Sequence, residues 1–470
     1  MAGSRRRRWM QRQRHHADAG APSGLPPKPM PDAAAQEPSA TTLADLPPEL
    51  LAEILSRLDF VDRLNFAAGC GGAVASSLQW HKPEVPCLVL PSATAETATL
   101  FSLSSDGHEA AAARAPDPAV RGHVVPGSSG GWLVTADLQG ALRIANPVTG
   151  QQAELPAITT GTIPFFQSSP DVLDMDLFGQ LRFAGGLPDD DRRSDFGPPL
   201  TIVGWQMRKW FYRKVILSAS PRPGSYAAML ILAKDFGAPA FATAEDPAGW
   251  RLAASADGVE DAIHHEGRFY SVTYSGAVEA WDRDAGTGEF VSAAAGPRLP
   301  GDGEDLRRRR KYIAAAPDGR LVAVLKGFKE VKPECCRYPR EKAVAPVFEV
   351  QVLDEARRRW AAARDIGDLA LFVGVNASMC VSAREHPGIR AGCVYYTEDE
   401  LGQASLRLEN ERDGCSRPLY RSSVGADRHG YDHELRDLGV YVLKDGTVER
   451  VEGLGKHRCW PPPAWFTPSV

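Results

Sequence analysis

A chain of 470 residues with 43% apolar side chains exceeds one typical domain and can bury a large core, while 54 Lys and Arg against 59 Asp and Glu leave a net charge of −5. That near-balance supplies no overall field to hold the protein on nucleic acid or an anionic membrane. No apolar run reaches the roughly 18 residues of a spanning helix and no secretory segment opens the chain. The eight cysteines (Cys70, Cys87, Cys335, Cys336, Cys380, Cys393, Cys415 and Cys459) lack paired spacing, so a soluble intracellular protein with reduced thiols is expected.

Residues 1–40 are rich in Arg, Pro, Ala and Ser and poor in large apolar side chains, which cannot offset the entropy of ordering; a disordered tail is expected. Arg5 to Arg8 with Arg12 and Arg14 fit a nuclear-localisation cluster, an organelle transit peptide or a plain solvated tail.

Residues 41–82 read as a helical module. Leu46, Leu50, Leu51, Ile54, Leu55 and Leu58 recur every three or four residues, so a helix lines them along one apolar stripe, with Glu49, Glu53 and Arg57 opposite. Pro47 and Pro48 fall in the first turn, where a missing N–H removes no helical bond, and Glu49 suits the positive end of the dipole. Asp59 can cap a second helix, with Asp62 in its first turn and Val61, Leu64, Ala67 and Ala68 on its apolar face. Fewer than about forty residues rarely close a core unaided, so the stripe needs a partner surface; the alternative is an ordinary helical hairpin packed on its own domain.

Those residues follow Leu-Pro-x-Glu-Leu-Leu-x-x-Ile-Leu-x-Arg-Leu and then Asp-x-x-Asp-Arg-Leu, a pattern that resembles an F-box from Leu43 to Cys70. The resemblance implies docking on a Skp-type adaptor, and through it on a cullin, with Leu46, Pro47, Leu50, Leu51, Ile54, Leu55, Leu58 and Leu64 facing the adaptor. Where the family usually continues with Cys-x-x-Trp-Arg, this chain reads Cys70-Gly71-Gly72-Ala73-Val74, so the third helix departs from the pattern.

From about residue 86 to 470, short runs of Val, Leu, Ile, aromatics and Thr alternate with Gly, Pro, Asp and Asn, the texture of many short antiparallel strands. Trp132 to Ala136 and Ala141 to Asn146 form one predicted hairpin, its second strand stopping at Asn146-Pro147. Arg268 to Thr273 and Ala277 to Asp282 turn at Ser275-Gly276; Tyr312 to Ala316 and Arg320 to Leu325 turn at Asp318-Gly319. A late hairpin runs from Leu438 to Glu449. Gly276 and Gly319 stand 43 residues apart, within the roughly 40 to 50 residues of a propeller blade. Pro188–Pro199, Pro297–Arg310, Gly327–Pro346 and Glu398–Asp432 read as insertions, which leaves about six or seven blades; a β-sandwich is the competing architecture. The fold class expected is α+β, a short N-terminal all-α module followed by a large all-β propeller whose blade is completed by strands from both ends of the ring.

Ala370-Leu371-Phe372-Val373-Gly374-Val375-Asn376, Gly392 to Asp399, Leu438 to Tyr441 and Ala464-Trp465-Phe466-Thr467-Pro468-Ser469 are similar to a plant domain of unknown function, the KIB-type propeller, which in that family follows an F-box. The residues themselves read plainly as apolar strand, glycine at a bulge or close approach, and asparagine at a turn.

Little in the chain points to chemistry. Gly127-Ser128-Ser129-Gly130-Gly131 satisfies the nucleophile-elbow pattern, but the following Trp132 to Thr135 is a strand rather than a helix, and a Gly/Ser loop explains the residues. His264 and His265 beside Asp261 and Glu266 could ligate a metal in principle, yet adjacent strand residues point to opposite faces. Cys335-Cys336, and Cys380 with His386 and Cys393, miss zinc spacing; Asp189 to Asp191 lacks the calcium-loop pattern. Arg307 to Lys311 reads as a contact for an acidic partner or as a flexible basic loop, and Trp205, Trp210, Trp250 and Trp281 as blade-core residues or interaction anchors.

No catalytic, metal or cofactor residue is therefore assigned. The expected role is the substrate-recognition subunit of an SCF-type ubiquitin ligase in the cytoplasm or nucleus, holding an unknown target protein on the propeller without contacting nucleic acid or membrane. The alternatives are a propeller scaffold whose F-box has decayed, and a ligand-binding or enzymatic propeller with polar groups converging on its channel.

Overall fold

The computed structural model describes residues 46–58, 62, 66, 85–91, 98–103, 110–112, 123–158, 166–169, 172–175, 200–203, 206–219, 221–232, 238–246, 249–255, 257–331, 343–386, 388–402, 404–405, 438–454 and 460–468. Among them the predicted texture of short apolar runs becomes 28 strands in seven sheets.

Blade 1 contains β1 (Cys87–Pro91), β2 (Ala98–Ser102) and β3 (Ala110–Ala112); blade 2 contains β4 (Val124–Ser129), β5 (Trp132–Ala136), β6 (Leu142–Ala145) and β7 (Gln152–Glu154). A three-stranded sheet follows, β8 (Phe166–Ser169), β9 (Val172–Met175) and β10 (Leu200–Val203). Blade 3 is β11 (Tyr212–Leu217), β12 (Ala227–Leu232), β13 (Ala240–Thr243) and β14 (Arg251–Leu252). Blade 4 is β15 (Val259–His265), β16 (Arg268–Thr273), β17 (Val278–Arg283) and β18 (Phe290–Ala294). Blade 5 is β19 (Arg310–Ala315), β20 (Leu321–Val331), β21 (Ala343–Asp354) and β22 (Arg359–Ala363). Blade 6 is β23 (Leu369–Val373), β24 (Ser378–Ser382), β25 (Cys393–Tyr396), β26 (Gly439–Val442) and β27 (Thr447–Glu449). The last strand, β28 (Ala464–Phe466), returns to pair with β1 and becomes the innermost strand of blade 1.

The innermost strands pack in sequence around the axis: β28 beside β4, β4 beside β11, then β15, β19 and β24. Because β4 meets β11 directly, β8 to β10 form an insertion and the ring has six blades. Closure hides the edges that an open sheet of this size would expose. Blade 6 departs from a simple meander: β23 pairs with β24 antiparallel and with β25 parallel, giving five strands.

Apolar side chains fill the gaps between neighbouring blades. Phe241 of blade 3 stacks on Phe290 of blade 4 at 4.2 Å, and Phe348 of blade 5 meets Tyr396 of blade 6 at 5.1 Å. Trp250 and Trp281 are fully buried, and Trp250 Nε1 donates to Pro156 O at 2.7 Å, tying blade 3 to blade 2. Each such side chain contributes roughly 1.5–3 kcal/mol by leaving water. Local chemistry closes the hairpins: Asn146 Oδ1 accepts from Val148 and Thr149, and Asp284 Oδ1 accepts from Gly286 and Thr287 in the same outer turn of blades 2 and 4.

Three predicted insertions change character. Pro297–Arg310 is a built connector holding α2 (Gly303–Arg308), with Leu299 and Leu306 buried in the core between blades 4 and 5. Its apolar anchors are only two, too sparse to show as periodicity. Gly327–Pro346 is largely strand, since β20 runs to Val331 and β21 starts at Ala343. Residues 398–402, 404 and 405 reach the axis and the core, whereas the remainder of Glu398–Asp432, and Pro188–Pro199, lie outside the described residues. So do the 1–40 tail, Asp59, Val61, Leu64 and the third helix.

Candidate functional site

The first candidate surface is α1 (Pro48–Arg57), which begins after Pro47 in extended conformation (φ −55°, ψ 141°) and ends where Leu58 turns extended (φ −81°, ψ 148°). The apolar stripe splits. Leu51 and Leu55 are buried against Leu46 and Phe66, whereas Leu50 is 52% exposed, Ile54 and Leu58 are half-buried, and Pro47 is exposed. Successive positions on the stripe differ by about 100°, so one edge can close the local core while the other faces outward.

The second lies on the propeller axis, where three successive innermost strands begin with charged pairs: Arg213-Lys214, Glu260-Asp261 and Arg310-Lys311. In β11 the register shifts between Tyr212 and Lys214, and in β15 between Val259 and Asp261. Each shift accommodates one extra residue, Arg213 or Glu260, and such bulges re-aim side chains.

Deep in the channel, Asp261 gathers groups from three other blades. Lys214 Nζ donates to its Oδ1 at 2.5 Å, while Ser378 Oγ and the Ile313 N–H donate to its Oδ2 at 2.7 and 2.9 Å. Lys214 also donates to Ser378 Oγ at 2.9 Å. Burial pushes the Lys214 ammonium down, against the opposing pull of Asp261.

One step toward the end at which these strands begin, Glu260 sits among Lys311 at 2.6 Å, Arg310 at 3.5 Å and Arg213 at 3.8 Å. Burial pushes its carboxyl up to about 7, although Lys311 and Arg213 pull it down. Arg213 also lies 3.7 Å from the half-exposed Glu400. Nearby, Tyr312 OH donates to Asp399 Oδ1, and Lys326 Nζ, which rests 5.1 Å from the Tyr396 ring centre, meets Asp399 Oδ2 at 2.7 Å. Burial and Asp399 together raise the Tyr312 phenol well above its usual range.

No motif in the sequence singles out this cluster. The signal existed: Lys214 and Asp261 are 47 residues apart and Glu260 and Arg310 are 50 apart, a blade repeat, each opening an apolar run. Arg310 and Lys311 correct the reading of Arg307–Lys311 as a partner contact or a flexible basic loop. They are buried in β19, while Arg307 pairs with Asp257 and Arg308 with Glu304.

The other motifs resolve structurally. Gly127 to Ser129 belong to β4 itself, not to a loop, and a Cβ on Gly127 would lie 2.1 Å from Val215 O of the next blade. Ser128 Oγ accepts from Asn376 Nδ2 at 3.0 Å. Asp261 faces the axis, away from His264, whose Nδ1 accepts from Ala219 N–H at 3.1 Å. Burial pushes the Cys380 thiol up to about 12 and raises that of Cys393. Among the described residues no three His, Cys, Asp or Glu side chains group as a metal site would require, and no helix is long and apolar enough to cross a membrane. Trp210 is 41% exposed, contrary to its core reading, although Gly402 packs against its ring; Trp205 lies outside the described residues.

Comparison with known proteins gives an F-box domain over residues 43–68 and a KIB1-4 β-propeller over residues 100–441. The chain is 25% identical over 223 residues to the F-box protein At2g17036 of Arabidopsis thaliana, covering 45% of each protein. It is 29% identical over 107 residues to the putative F-box protein At5g60060 of the same plant, covering 22% of this chain and 27% of the relative. The chain thus spans less than half the length of these curated relatives. Among solved structures, the RRP9 WD40 repeats align at 10% identity and a TM-score of 0.28, over 68% of this chain and 86% of that one. Six closed blades behind a short amphipathic helix agree with both family matches, and the chain belongs to the KIB1-4 β-propeller family, with an F-box domain preceding the ring.

Proposed function

We propose that this protein is the substrate-recognition subunit of an SCF-type ubiquitin ligase. Its F-box docks on a Skp-type adaptor, and through it on a cullin, while the propeller holds a target protein. The contribution is proximity: tethering raises the effective concentration of target near the ubiquitin-loaded enzyme. Such a role places the protein in the cytoplasm or nucleus.

The observation that carries this reading is the divided stripe of α1. Leu51 and Leu55 serve the local core, which leaves Pro47, Leu50, Ile54 and Leu58 as the adaptor-facing set. An exposed leucine beside a half-buried isoleucine and leucine, on a helix matched as an F-box, is the kind of apolar patch that another polypeptide covers.

The test is co-expression with a Skp-type adaptor followed by affinity purification. The wild type is expected to retain the adaptor, and Leu50→Asp with Ile54→Asp to lose it while keeping its melting temperature. Equal recovery from both would remove the assignment. Failure of the folded wild type to retain any adaptor would leave a propeller scaffold with a decayed F-box.

A further inference from the structure

Ring closure protects the inner strands, but each blade still ends in an outer strand with one free edge, which proteins blunt by length, charge or proline. Here β14 has two residues, β7 and β27 have three and end at Glu154 and Glu449, and β22 opens with Arg359. The outer strand of blade 4 lacks these devices. β18 is Phe290-Val291-Ser292-Ala293-Ala294, without a charge or a proline, paired to β17 in unbroken register over all five residues. Val291 is 54% exposed, and Ala293 and Ala294 are exposed too. The direction of its backbone follows from the ladder. Asp284 N–H donates to Glu289 O at 2.8 Å and Ala295 N–H to Val278 O at 2.9 Å, and bonded pairs alternate in an antiparallel ladder, so Val291 and Ala293 are the residues bonded to β17 between them. The N–H and C=O groups of Phe290, Ser292 and Ala294 therefore point away from the sheet, where no further strand among the described residues pairs with them.

One end of this edge adjoins a cleft. Phe290, with Phe241, Thr243, Arg251, Leu252 and Arg283, lines about 310 Å³ of empty space between the outer strands of blades 3 and 4, part of it continuous with solvent. Directly opposed residues of paired strands share a face, and Phe290 faces blade 3, where it stacks on Phe241 at 4.2 Å. A residue opposite Phe290 on an added strand would therefore lie on the cleft side. The charges at the rim are paired with one another, Asp246 with Arg251 at 2.8 Å and Arg283 with Glu245 at 3.5 Å, so the cleft suits an uncharged side chain. A second copy pairing edge to edge fits less well. About 17 Å of strand falls well short of the roughly 1,200 Å² that a stable dimer buries. In the self-paired register centred on Ser292, Ala294 of the second copy would stand opposite Phe290, too small to fill the cleft.

We propose that the outer edge of blade 4 is a docking site for an extended segment of the target protein, which adds to β18 as a fifth strand and sets an uncharged side chain into the cleft beside Phe290. Main-chain bonds to Phe290, Ser292 and Ala294 supply affinity, and the cleft supplies selection of one side chain. This rests on the reading of the propeller as the part that holds the target, and it names the conformation in which the target is held.

The test is to pan a random heptapeptide library displayed on phage against the purified full-length chain and to titrate the enriched sequence, as a synthetic peptide, into wild type and variants by fluorescence polarisation. Saturable binding by the wild type is expected. Ser292→Pro, which removes an outward N–H, spares every bond to β17 and is tolerated on an edge strand, should weaken binding at least tenfold. Arg359→Gln on the outer edge of blade 5 should leave it unchanged. Two further peptides, N-methylated at alternate residues in complementary sets, read the main chain directly and need no variant if Ser292→Pro does not fold. Only alternate N–H groups of an added strand face β18, so one set should bind at least tenfold more weakly than the other. Failure to enrich any peptide that binds in solution, equal binding by folded Ser292→Pro, or equal affinity of the two methylated peptides overturns the site. A wild-type dimer that Ser292→Pro dissociates gives the edge to a second copy and overturns it as well. No adaptor takes part in this titration and adaptor co-purification does not involve β18, so either result can fail without the other.

Discussion

The side chain of Asn376 pairs with the backbone of Trp465 as a strand would: its Oδ1 accepts the Trp465 N–H at 2.9 Å and its Nδ2 donates to the Trp465 carbonyl at 2.7 Å. Asn376 lies in the link between β23 and β24, and Trp465 is the centre of β28, so one amide joins the last blade to the strand that completes the first. Trp465 Nε1 returns a bond to Val373 O at 3.0 Å, and its ring meets Phe372 edge-on at 5.0 Å. The two segments most diagnostic in the sequence are thus bonded to each other across the closure.

Replacing Asn376 by Ala would leave a buried N–H and a buried carbonyl on Trp465 without partners, and about 2–4 kcal/mol of stability should be lost. Ser128→Ala removes a single bond to the same amide and should cost about 1 kcal/mol. Urea titration followed by tryptophan fluorescence measures both. Equal midpoints for the two variants would show that the closure does not rest on this amide.

Lys214 and Asp261 are a buried pair, and removing one partner strands the other. Lys214→Met should cost about 3–5 kcal/mol, whereas Lys214→Met with Asp261→Asn should recover a substantial part of it. The check is a double-mutant cycle in denaturant. Additive losses would mean that the pair is not coupled.

The Glu260 carboxyl titrates near 7 when folded against an ordinary 4.5, so between those values the unfolded chain has released a proton that the folded chain still holds. Stability from this group is complete below about 4.5 and lost as pH rises through 7, by roughly 3 kcal/mol in all at about 1.4 per unit. Glu260→Gln should flatten that segment of the stability–pH curve, and only above about pH 7, where the folded carboxyl is ionised, should Lys311 and both arginines lose a counter-charge. Denaturation midpoints from pH 4.5 to 7.5 test the slope, and an unchanged slope in the variant would rule this carboxyl out as its source.

Gly374 is required by a close approach: an added Cβ would stand 1.9 Å from Thr397 Oγ1 and 3.2 Å from its Cβ. Gly374→Ala should therefore destabilise by about 1–3 kcal/mol, as overpacking does. Thr397 Oγ1 is buried and has no hydrogen-bond partner among the described residues. Thr397→Ala should consequently cost little alone and rescue most of the glycine variant. Thermal unfolding of the three variants decides it, and a double variant no better than Gly374→Ala would place the strain elsewhere.

The hairpins, the family and the general architecture were legible in the chain because they rest on local physics. Alternation between apolar strands and Asp, Asn or Gly turns is enforced within a dozen residues, and Asn146 ends β6 by capping the turn that follows it. The glycine of the Leu-Phe-x-Gly-x-Asn segment reads as either a bulge or a close approach, and the structure shows the close approach. Its asparagine was read as a turn residue, and there the reading stopped short, because the partner of Asn376 is 89 residues away.

The stripe of α1 was equally visible, but not its division. Heptad-like spacing says that Leu50, Leu51, Ile54 and Leu55 share a side of the helix, and only the position of Phe66 separates the two that close a core from the two that face outward. The axial charges illustrate the same limit. Arg213, Glu260 and Arg310 look like ordinary polar residues at strand starts until the ring brings three blades together.

What the amino-acid order determined unaided was the set of elements, their turns and their family, since each depends on neighbours within reach of one hairpin or one helical turn. Blade number, ring closure by Asn376 and Trp465, and the conversion of scattered Lys, Arg, Asp and Glu into one buried cluster were decided by tertiary structure. They depend on contacts between residues 47 to 164 positions apart, and only a closed ring of twisted sheets makes such residues neighbours in a space from which water is excluded.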